Sequence, residues 1–419
     1  MTVVLLLLTL AADPPKKLTL REAEEIAAKN HPRVSVALMN SLASGKVSLE
    51  IRSNNYPNIT GAFSSAGALE NSRIAAGGIT NPAIFSRVSS GLAVSQLVTD
   101  FGRTKSLAEA ADLRAKADQE AVKAARAEVV LQVDFAYFLA LKAQALMRVA
   151  SEAIKAREAA SEKAAALEQA KLKSGLDASF ARVQVSEAKL ALLRAENGMR
   201  AAFADLSSAM GSNADETYEL TEESLPAELG PDVADFVKEA VRNRPELAQL
   251  KNEGDAADHI VQAEKDLKRP TIVAVAMAGV SPAHASQITN RWAVAGVNVN
   301  VPIFNGRLFE ARQAEAEFRA SAVRQRAREV ENRITRDVRV AYLTATNSIE
   351  QVAVTEQLAA QANLALDLAR SRYDLGLSSI VELTQAQLNQ TSAEIANAGA
   401  RYEYLLQRSV LRYQTGAIR

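Results

Sequence analysis

The sequence predicts a mainly α-helical protein in which one structural unit occurs twice. Each copy combines a long helical hairpin with two strands long enough to cross a membrane. Three observations support this fold class. A helix–turn–helix segment recurs in the two halves of the chain, proline landmarks recur at a fixed spacing, and a period-two pattern follows the second proline of each copy. The same order of elements in both halves indicates a duplicated architecture.

The clearest repeated segment is a turn between two long, glycine-poor runs. Leu368–Gln385 reads LARSRYDLGLSSIVELTQ, and Leu167–Gln184 reads LEQAKLKSGLDASFARVQ. Aligning Gly175 with Gly376 gives the two copies a numbering offset of 201 (376 − 175). Glycine adopts positive φ at low cost and often ends a helix in a left-handed residue. We therefore expect each of these glycines to end a long helix.

Two pairs of prolines place the earlier parts of the copies in register. Pro32 and Pro245 end short helices, and Pro57 and Pro270 precede the strands; both pairs have the same numbering offset, 213 (245 − 32 and 270 − 57). A capping box at Thr19 begins the first short helix. The predicted organisation is a signal peptide at 1–12, a first repeat at 18–211, an acidic connector at 212–232 and a second repeat at 233–416.

Alternating side chains predict four strands. They run from about 58 to 69 and 88 to 98 in the first copy, and from about 271 to 279 and 292 to 302 in the second. About ten residues is the length of a tilted strand crossing a bilayer. Trp292, the only tryptophan, lies at the loop end of its strand, where a membrane-interface ring is expected. The alternative interpretation is a soluble hairpin with one buried face.

Long helices follow a Gly-Arg pair in each copy. The first pair of helices is expected at about 103–173 and 177–210, the second at about 307–375 and 378–414. Asp177 and Ser378 suit the N-caps of the two return helices. Each return helix is much shorter than its partner, so the capped helices before the strands are expected to cover the remainder of the long helices.

The N-terminus carries a short apolar run, Val3–Leu10, followed by Ala11 and Ala12. It is too short to span a bilayer and fits the apolar segment of a secretory signal, although no Lys or Arg precedes it. The sequence offers no other stretch that we expect to form a transmembrane helix. A membrane crossing would therefore use strands.

Composition excludes several classes of protein. The chain has 49 basic and 49 acidic residues, and this neutral balance argues against nucleic acid as a partner. It has no cysteine, so disulfides and thiolate metal sites are excluded. No catalytic or cofactor-binding motif is present, and His31, His259 and His284 are scattered. We expect neither an enzyme nor a cofactor or metal site.

The ordered set of motifs resembles the TolC-type outer-membrane efflux proteins over nearly the whole mature chain, from about residue 18 to residue 416. Four strands cannot close a membrane barrel, and open edges cannot face lipid. The resemblance implies a homotrimer that is embedded in the outer membrane and contacts the outer-membrane lipid. Its twelve strands would form one β-barrel, continued by a long periplasmic α-helical barrel.

In such proteins the channel is a passive exit duct of a tripartite efflux or type I secretion system. The resemblance implies a periplasmic adaptor (membrane fusion) protein and an inner-membrane RND, ABC or MFS pump as partners. Both turns would lie at the periplasmic tip. Residues of these turns are expected to contact the adaptor: Leu172, Gly175, Leu176, Asp177, Gly376, Leu377 and Ser378.

The same resemblance places a periplasmic gate at Tyr373, Glu382 and Gln385. The family's aperture carries acidic residues one and two turns beyond the glycine. Here the second position is Gln385, and Ala181 of the first copy lacks a polar side chain. Three Glu382 carboxylates around a symmetry axis would repel one another and favour cations. With no second acidic ring, we expect weaker cation selectivity and a less firmly latched gate. The alternative interpretation of Glu382 is a solvated glutamate on the helix face.

Two rival classes remain at this point. A periplasmic adaptor also carries a helical hairpin, but usually one hairpin between β-rich domains. A soluble coiled-coil scaffold needs neither the period-two strands nor the export signal. Recovery of the protein in the soluble periplasmic fraction would favour either rival over a membrane channel.

Overall fold

The structure is a computed structural model that describes residues 16–69, 85–212, 218–226, 230, 232–287 and 289–418. The predicted signal peptide, most of the first loop between strands and parts of the connector lie outside the described residues. The chain forms two compact units. The helical unit comprises Met1–Ala37, Val122–Pro245 and Glu331–Arg419, and the sheet unit comprises Leu38–Ala121 and Glu246–Val330.

The described elements follow one another in nearly the same order in the two copies. The first copy contains β1 (Lys16–Leu18), α1 (Leu20–Asn30), α2 (Pro32–Ser53), β2 (Asn58–Ala66), β3 (Arg87–Thr99), α3 (Arg103–Gln169) and α4 (Gly175–Ala209). After β4 (Tyr218–Leu220), the second contains α5 (Val233–Asn243), α6 (Pro245–Asp266), β5 (Thr271–His284), β6 (Arg291–Asn300), α7 (Leu308–Asp374) and α8 (Ile380–Gln414).

The long helices and their return helices repeat with one constant numbering offset. α3 and α7 each have 67 residues, and their starts differ by 205 (308 − 103). α4 and α8 each have 35 residues and differ by the same amount (380 − 175). The alignment of Gly175 with Gly376, whose offset is 201, was therefore wrong by four positions. Four positions are about one helical turn, so the false register still matched similar helix faces.

A pair of left-handed residues precedes each long helix with the same offset. Phe101 and Gly102 have φ of 56° and 108°, and Gly306 and Arg307 have φ of 61° and 70°. Glycine thus occupies the second position in one copy and the first in the other. In the first copy the Asp100 carboxylate accepts hydrogen bonds from the backbone N–H groups of Gly102 (3.2 Å) and Thr104 (2.7 Å), which fixes the start of α3.

The helices before the strands pack on the long helices of the sheet unit. Val261 of α6 is buried against Ala316 and Ala320 of α7. Arg312 of α7 forms an ion pair of 2.9 Å with Glu264 of α6. The expectation that these helices cover the part of the long helix that the return helix does not reach is confirmed for α6 and α7.

The four predicted membrane strands form one antiparallel sheet with the order β2-β3-β5-β6. β5 and β6 differ from expectation, because β5 continues through Ser281 and Pro282 to His284 and shortens the predicted loop. Ser281 pairs with the opposite chain segment through its N–H, 2.7 Å from the Asn290 carbonyl oxygen, whereas proline has no N–H to pair. β2 and β6 are the edge strands of this sheet.

The register gives the sheet two chemically different faces. Cross-strand neighbours share a face, so Thr60, Ala93, Met277 and Val294 form one row across the four strands. We call this side the polar face; its polar members include Asn58, Thr60, Ser64, Ser95, Thr271, Asn298 and Asn300. We call the other side the apolar face; its members include Ile59, Phe63, Leu92, Val94, Ile272, Val297 and Val299.

The core of the helical unit is built on one stripe of α3. Val129, Val133, Tyr137 and Leu141 recur every four residues and are at most 2% exposed. The Tyr137 hydroxyl lies 2.9 Å from the carbonyl oxygens of both Leu18 and Thr221 and can donate to either. The core tyrosine thereby connects α3 to the segments around β1 and β4.

The same helix, α3, contains a stretch that was not expected. An 18-residue window has a mean hydropathy of 1.4 and could by length and composition alone cross a membrane. More than half of that window, 56%, is buried within the protein. A core helix of a globular body meets the same criterion, which agrees with the buried stripe of α3.

One carboxyl group is buried beside this core. Asp134 of α3 has no exposed surface, and Glu24 of α1 and Ser409 and Arg412 of α8 lie around it. Burial raises the pKa of Asp134 to about 7, and the nearby charge of Glu24 adds to this effect, whereas the Ser409 hydroxyl and Arg412 oppose it. The carboxyl is therefore protonated in the folded protein below about pH 7.

Candidate functional site at the helical turns

The second turn joins α7 to α8 through the predicted glycine. Gly376 has φ of 74°, its N–H donates to the Tyr373 carbonyl oxygen (3.1 Å), and the Leu377 N–H donates to the Arg372 carbonyl oxygen (2.8 Å). This pattern is a Schellman ending, which satisfies the last carbonyls of α7. The N-cap of α8 is Ser379, whose hydroxyl accepts from the Glu382 N–H (3.4 Å), and not Ser378 as predicted.

The first turn uses a lysine where the second uses glycine. Lys171 has φ of 57°, and the following N–H, of Leu172, donates to the Leu167 carbonyl oxygen (2.9 Å). Gly175 is the first residue of α4 and does not end α3. Ser174 occupies the N-cap position, so Asp177 lies in the first turn of α4 and is not its cap. The predicted capping roles at this turn were therefore wrong.

Both turns expose apolar side chains. Leu172 and Leu377, which correspond in the register of the long helices, are 70% and 67% exposed. Leu176 and Leu375 are exposed to a similar extent. The two short turns thus present four exposed leucines to solvent.

Tyr373 lies beneath the second turn and connects the two hairpins. It is 2% exposed and packs with Ile380 and Leu383 of α8 and with Phe180 of α4. The Lys173 ammonium lies 5.4 Å from the centre of its ring. Among the described residues the Tyr373 hydroxyl has no hydrogen-bond partner, and burial raises its pKa, with smaller effects of Asp177 and Asp374.

Charged pairs surround this tyrosine. Glu382, whose three copies were predicted to form an acidic ring, forms an ion pair of 3.2 Å with Arg372 of α7. Lys163 of α3 forms a second pair, 2.5 Å from Asp374, and so joins the first hairpin to the second. Gln385 donates to Asn389 (2.9 Å), one turn further along α8.

The interior of the first hairpin holds polar groups that the sequence analysis missed. Arg157 of α3 is 7% exposed, and its Nη1 lies 3.4 Å from the Gln184 carbonyl oxygen of α4. Burial lowers the pKa of Arg157, and Glu187 partly opposes this shift. Ala181 is buried with Ala164 and Ala178, which allows the two helices to approach closely. Helical periodicity could have placed Arg157 and Gln184 each on a stripe of its own helix, but it does not specify that the two stripes face each other.

Trp292 occupies a different environment from the predicted one. It lies near the loop end of β6, as expected, but its ring lies on the polar face of the sheet. A Cβ atom at Gly91 would be 3.0 Å from Cζ2 of the ring, and one at Gly279 would be closer still. The indole therefore covers two glycines of β3 and β5, and it is not on the apolar face where a lipid-interface ring would be expected.

These features define a class of protein with two long helical hairpins and a four-stranded sheet that has one exposed apolar face. The family model of the outer membrane efflux proteins matches residues 26–212 and 236–417. The chain belongs to this outer membrane efflux protein family, and its location is the outer membrane. The match in two segments agrees with the two predicted repeats.

Individual relatives support the same assignment. The chain is 22% identical over 255 residues to the outer membrane protein TolC of Escherichia coli (strain K12), which covers 58% of this chain and 52% of the relative. It is 28% identical over 123 residues to TolC of Vibrio cholerae, and the aligned segment covers 29% of this chain and 28% of that TolC. The chain spans about half the length of the TolC from E. coli that it matches.

Solved structures extend the similarity to the whole fold. The Campylobacter jejuni CmeC outer membrane channel has a TM-score of 0.79 at 16% identity, and the superposed part covers 95% of this chain and 85% of the CmeC chain. The open state of the Neisseria gonorrhoeae MtrE outer membrane channel has a TM-score of 0.76 at 21% identity, with 95% and 88% covered. The predicted fold class is confirmed.

Proposed function

We propose that this protein is the outer-membrane exit channel of a tripartite efflux or secretion system. The observation that carries the proposal is the sheet of β2, β3, β5 and β6. Its edge strands leave backbone groups to be paired by another chain, and its apolar face is exposed. In lipid an unpaired backbone group costs several kcal/mol, so such a sheet requires closure by further copies.

A homotrimer with twelve strands is the closure that the family resemblance supports. The decisive measurement is the molar mass of protein extracted from outer membranes in mild detergent, by light scattering with the detergent mass subtracted. We expect three chains per particle and ion conductance after reconstitution into planar bilayers. A monomer or dimer without conductance would contradict the proposal.

The exposed leucines of the two turns support docking of a periplasmic adaptor at this end of the helical unit. Leu172, Leu176 and Leu377 would provide apolar contact, and Gly376 would keep the second turn tight. Gly175, Asp177 and Ser378 stay predicted contacts of the adaptor, although the Ser378 hydroxyl oxygen is buried and would contribute only through the rest of the residue. The adaptor would connect the channel to an RND, ABC or MFS pump of the inner membrane.

The cluster around Tyr373 supports a gate at the same end. Exposed ion pairs contribute about 0–1 kcal/mol each, so the pairs Arg372–Glu382 and Lys163–Asp374 alone would hold a closed state weakly. The apolar contacts of Tyr373 with Ile380, Leu383 and Phe180 would contribute more, because burial of a large apolar side chain is worth about 1.5–3 kcal/mol. Cargo would pass without chemical change, as expected for a family of channels.

A further inference from the structure

We infer that Trp292, on the polar face that would line the water-filled interior of the proposed channel, belongs to a binding site for planar aromatic anions. The inference rests on the proposed function. Four side chains of the apolar face are 54–74% exposed: Ile59, Phe63, Val297 and Val299. In the membrane, lipid would cover this apolar band. The opposite face, with Asn298 and its polar neighbours, therefore meets water.

Trp292 is fixed on this polar face by its neighbours in register. Trp292 of β6 pairs with Gly279 of β5, which pairs with Gly91 of β3. The two glycines leave the space that the indole fills, and any side chain there would collide with the ring. Because one side of the indole packs on backbone and the residue is still 36% exposed, the other side is open to the interior.

The surroundings of Trp292 indicate the chemical class of the ligand. A cavity of about 470 Å³ on the polar face is lined by Trp292, Phe85, Met277 and Arg87, with serines around them. Two aromatic rings and a thioether favour a flat apolar molecule, and the guanidinium favours a negative group on it. The site therefore suits a planar aromatic anion.

The side of the sheet on which Trp292 lies can be measured directly, because the chain has one tryptophan. Fluorescence of the trimer is recorded in vesicles of ordinary phosphatidylcholine and of phosphatidylcholine brominated on its acyl chains. The matched control carries Trp292→Phe with Ala293→Trp, which moves the indole to the opposite face at the same depth. We expect bromolipid quenching to be several-fold weaker for Trp292 than for the control.

Ligand contact is tested with 4-nitrobenzoate, a planar aromatic anion that quenches indole fluorescence. We expect saturable quenching of Trp292, a several-fold higher half-saturation concentration in Arg87→Gln, and no displacement by the non-aromatic cyclohexanecarboxylate. Neutral nitrobenzene should respond little to Arg87→Gln. Quenching that stays linear, and equal to that of the Ala293→Trp control, would overturn the ligand site.

The outcomes separate this inference from the proposed function. A conducting trimer whose Trp292 is quenched by bromolipid as strongly as the control retains the channel and overturns the inward-facing tryptophan. A protein that is neither trimeric nor conducting overturns the channel itself. Molar mass and circular dichroism of each variant exclude misfolding as the cause of a lost signal.

Discussion

Asp134 shows at the scale of one residue how burial sets a property that charge counting cannot. Its folded-state pKa of about 7 exceeds the ordinary value of 3.8, so the folded protein binds a proton that the unfolded chain releases. The resulting stabilisation is complete below about pH 4 and is lost as pH rises through about 7.

We therefore expect the thermal midpoint of the protein in detergent to decrease as the pH rises from 4 to 7 because of this group. Asp134→Asn, which is neutral at every pH, should flatten this part of the profile, whereas Asp205→Asn at an exposed position should leave it unchanged. Circular dichroism of the helices follows the transition. A profile that is identical in Asp134→Asn and the parent protein would contradict the assignment.

Glu382 is a second residue whose role depends on its partner. Arg372 lies 3.2 Å away and offsets its charge, so the acidic ring predicted from sequence is neutralised in part. Arg372→Gln should increase cation selectivity, Glu382→Gln should shift selectivity towards anions by leaving Arg372 unpaired, and the double variant should return to the parent value. Reversal potentials in a KCl gradient across planar bilayers measure all three. Loss of cation selectivity in Glu382→Gln together with no effect of Arg372→Gln would favour an acidic ring that Arg372 does not offset.

Tyr373 allows packing to be separated from hydrogen bonding at the proposed gate. Its hydroxyl is buried without a partner among the described residues, so Tyr373→Phe should leave conductance and stability unchanged or slightly improved. Tyr373→Ala removes the ring and should cost about 3–5 kcal/mol locally and raise the open fraction. Single-channel recordings distinguish the two variants. An open channel in Tyr373→Phe would show that the hydroxyl meets a partner in the assembly.

At the scale of elements, the two turns have one geometry but different residues at the left-handed position. A non-glycine residue there costs about 1–2 kcal/mol, so Lys171→Gly should stabilise the first turn and Gly376→Ala should destabilise the second. Hydrogen exchange of the amides in each turn reports the two changes separately. If either variant changed amide exchange equally at both turns, the effect would not originate in the local backbone.

The same elements show how far the fold could be predicted. The hairpins, the four strands and the capping box at Thr19 followed from periodicity and local side-chain chemistry. The register of the turns did not follow from the sequence. The Gly-Leu pairs at Gly175 and Gly376 are identical in sequence, but the left-handed residue that corresponds to Gly376 in the first copy is Lys171. Partners such as Arg372 for Glu382 depend on how two helices pack, which one sequence does not specify.

At the scale of the whole molecule, the sheet must present one face to lipid and the other to water. Val297→Lys on the apolar face should cost about 2–4 kcal/mol in the bilayer and reduce recovery in the outer membrane. Asn298→Lys, the next residue on the polar face, should assemble normally and lower cation conductance. Membrane fractionation and bilayer recordings test both. Equal loss of assembly in the two variants would contradict the facing of the sheet.

The constant offset between the copies, which holds from Phe101 and Gly306 to Gly211 and Gly416, also describes where the chain tolerates a change of length. A single insertion in α3 or α7 would rotate every later side chain by about 100° around the helix axis. The loops between paired strands have no such constraint, because the loop between β2 and β3 is much longer than the loop between β5 and β6. Duplication has thus kept the helices at one fixed length and left the loops free to diverge. An epitope tag inserted between β5 and β6 should therefore be accepted where the same tag in α7 would not.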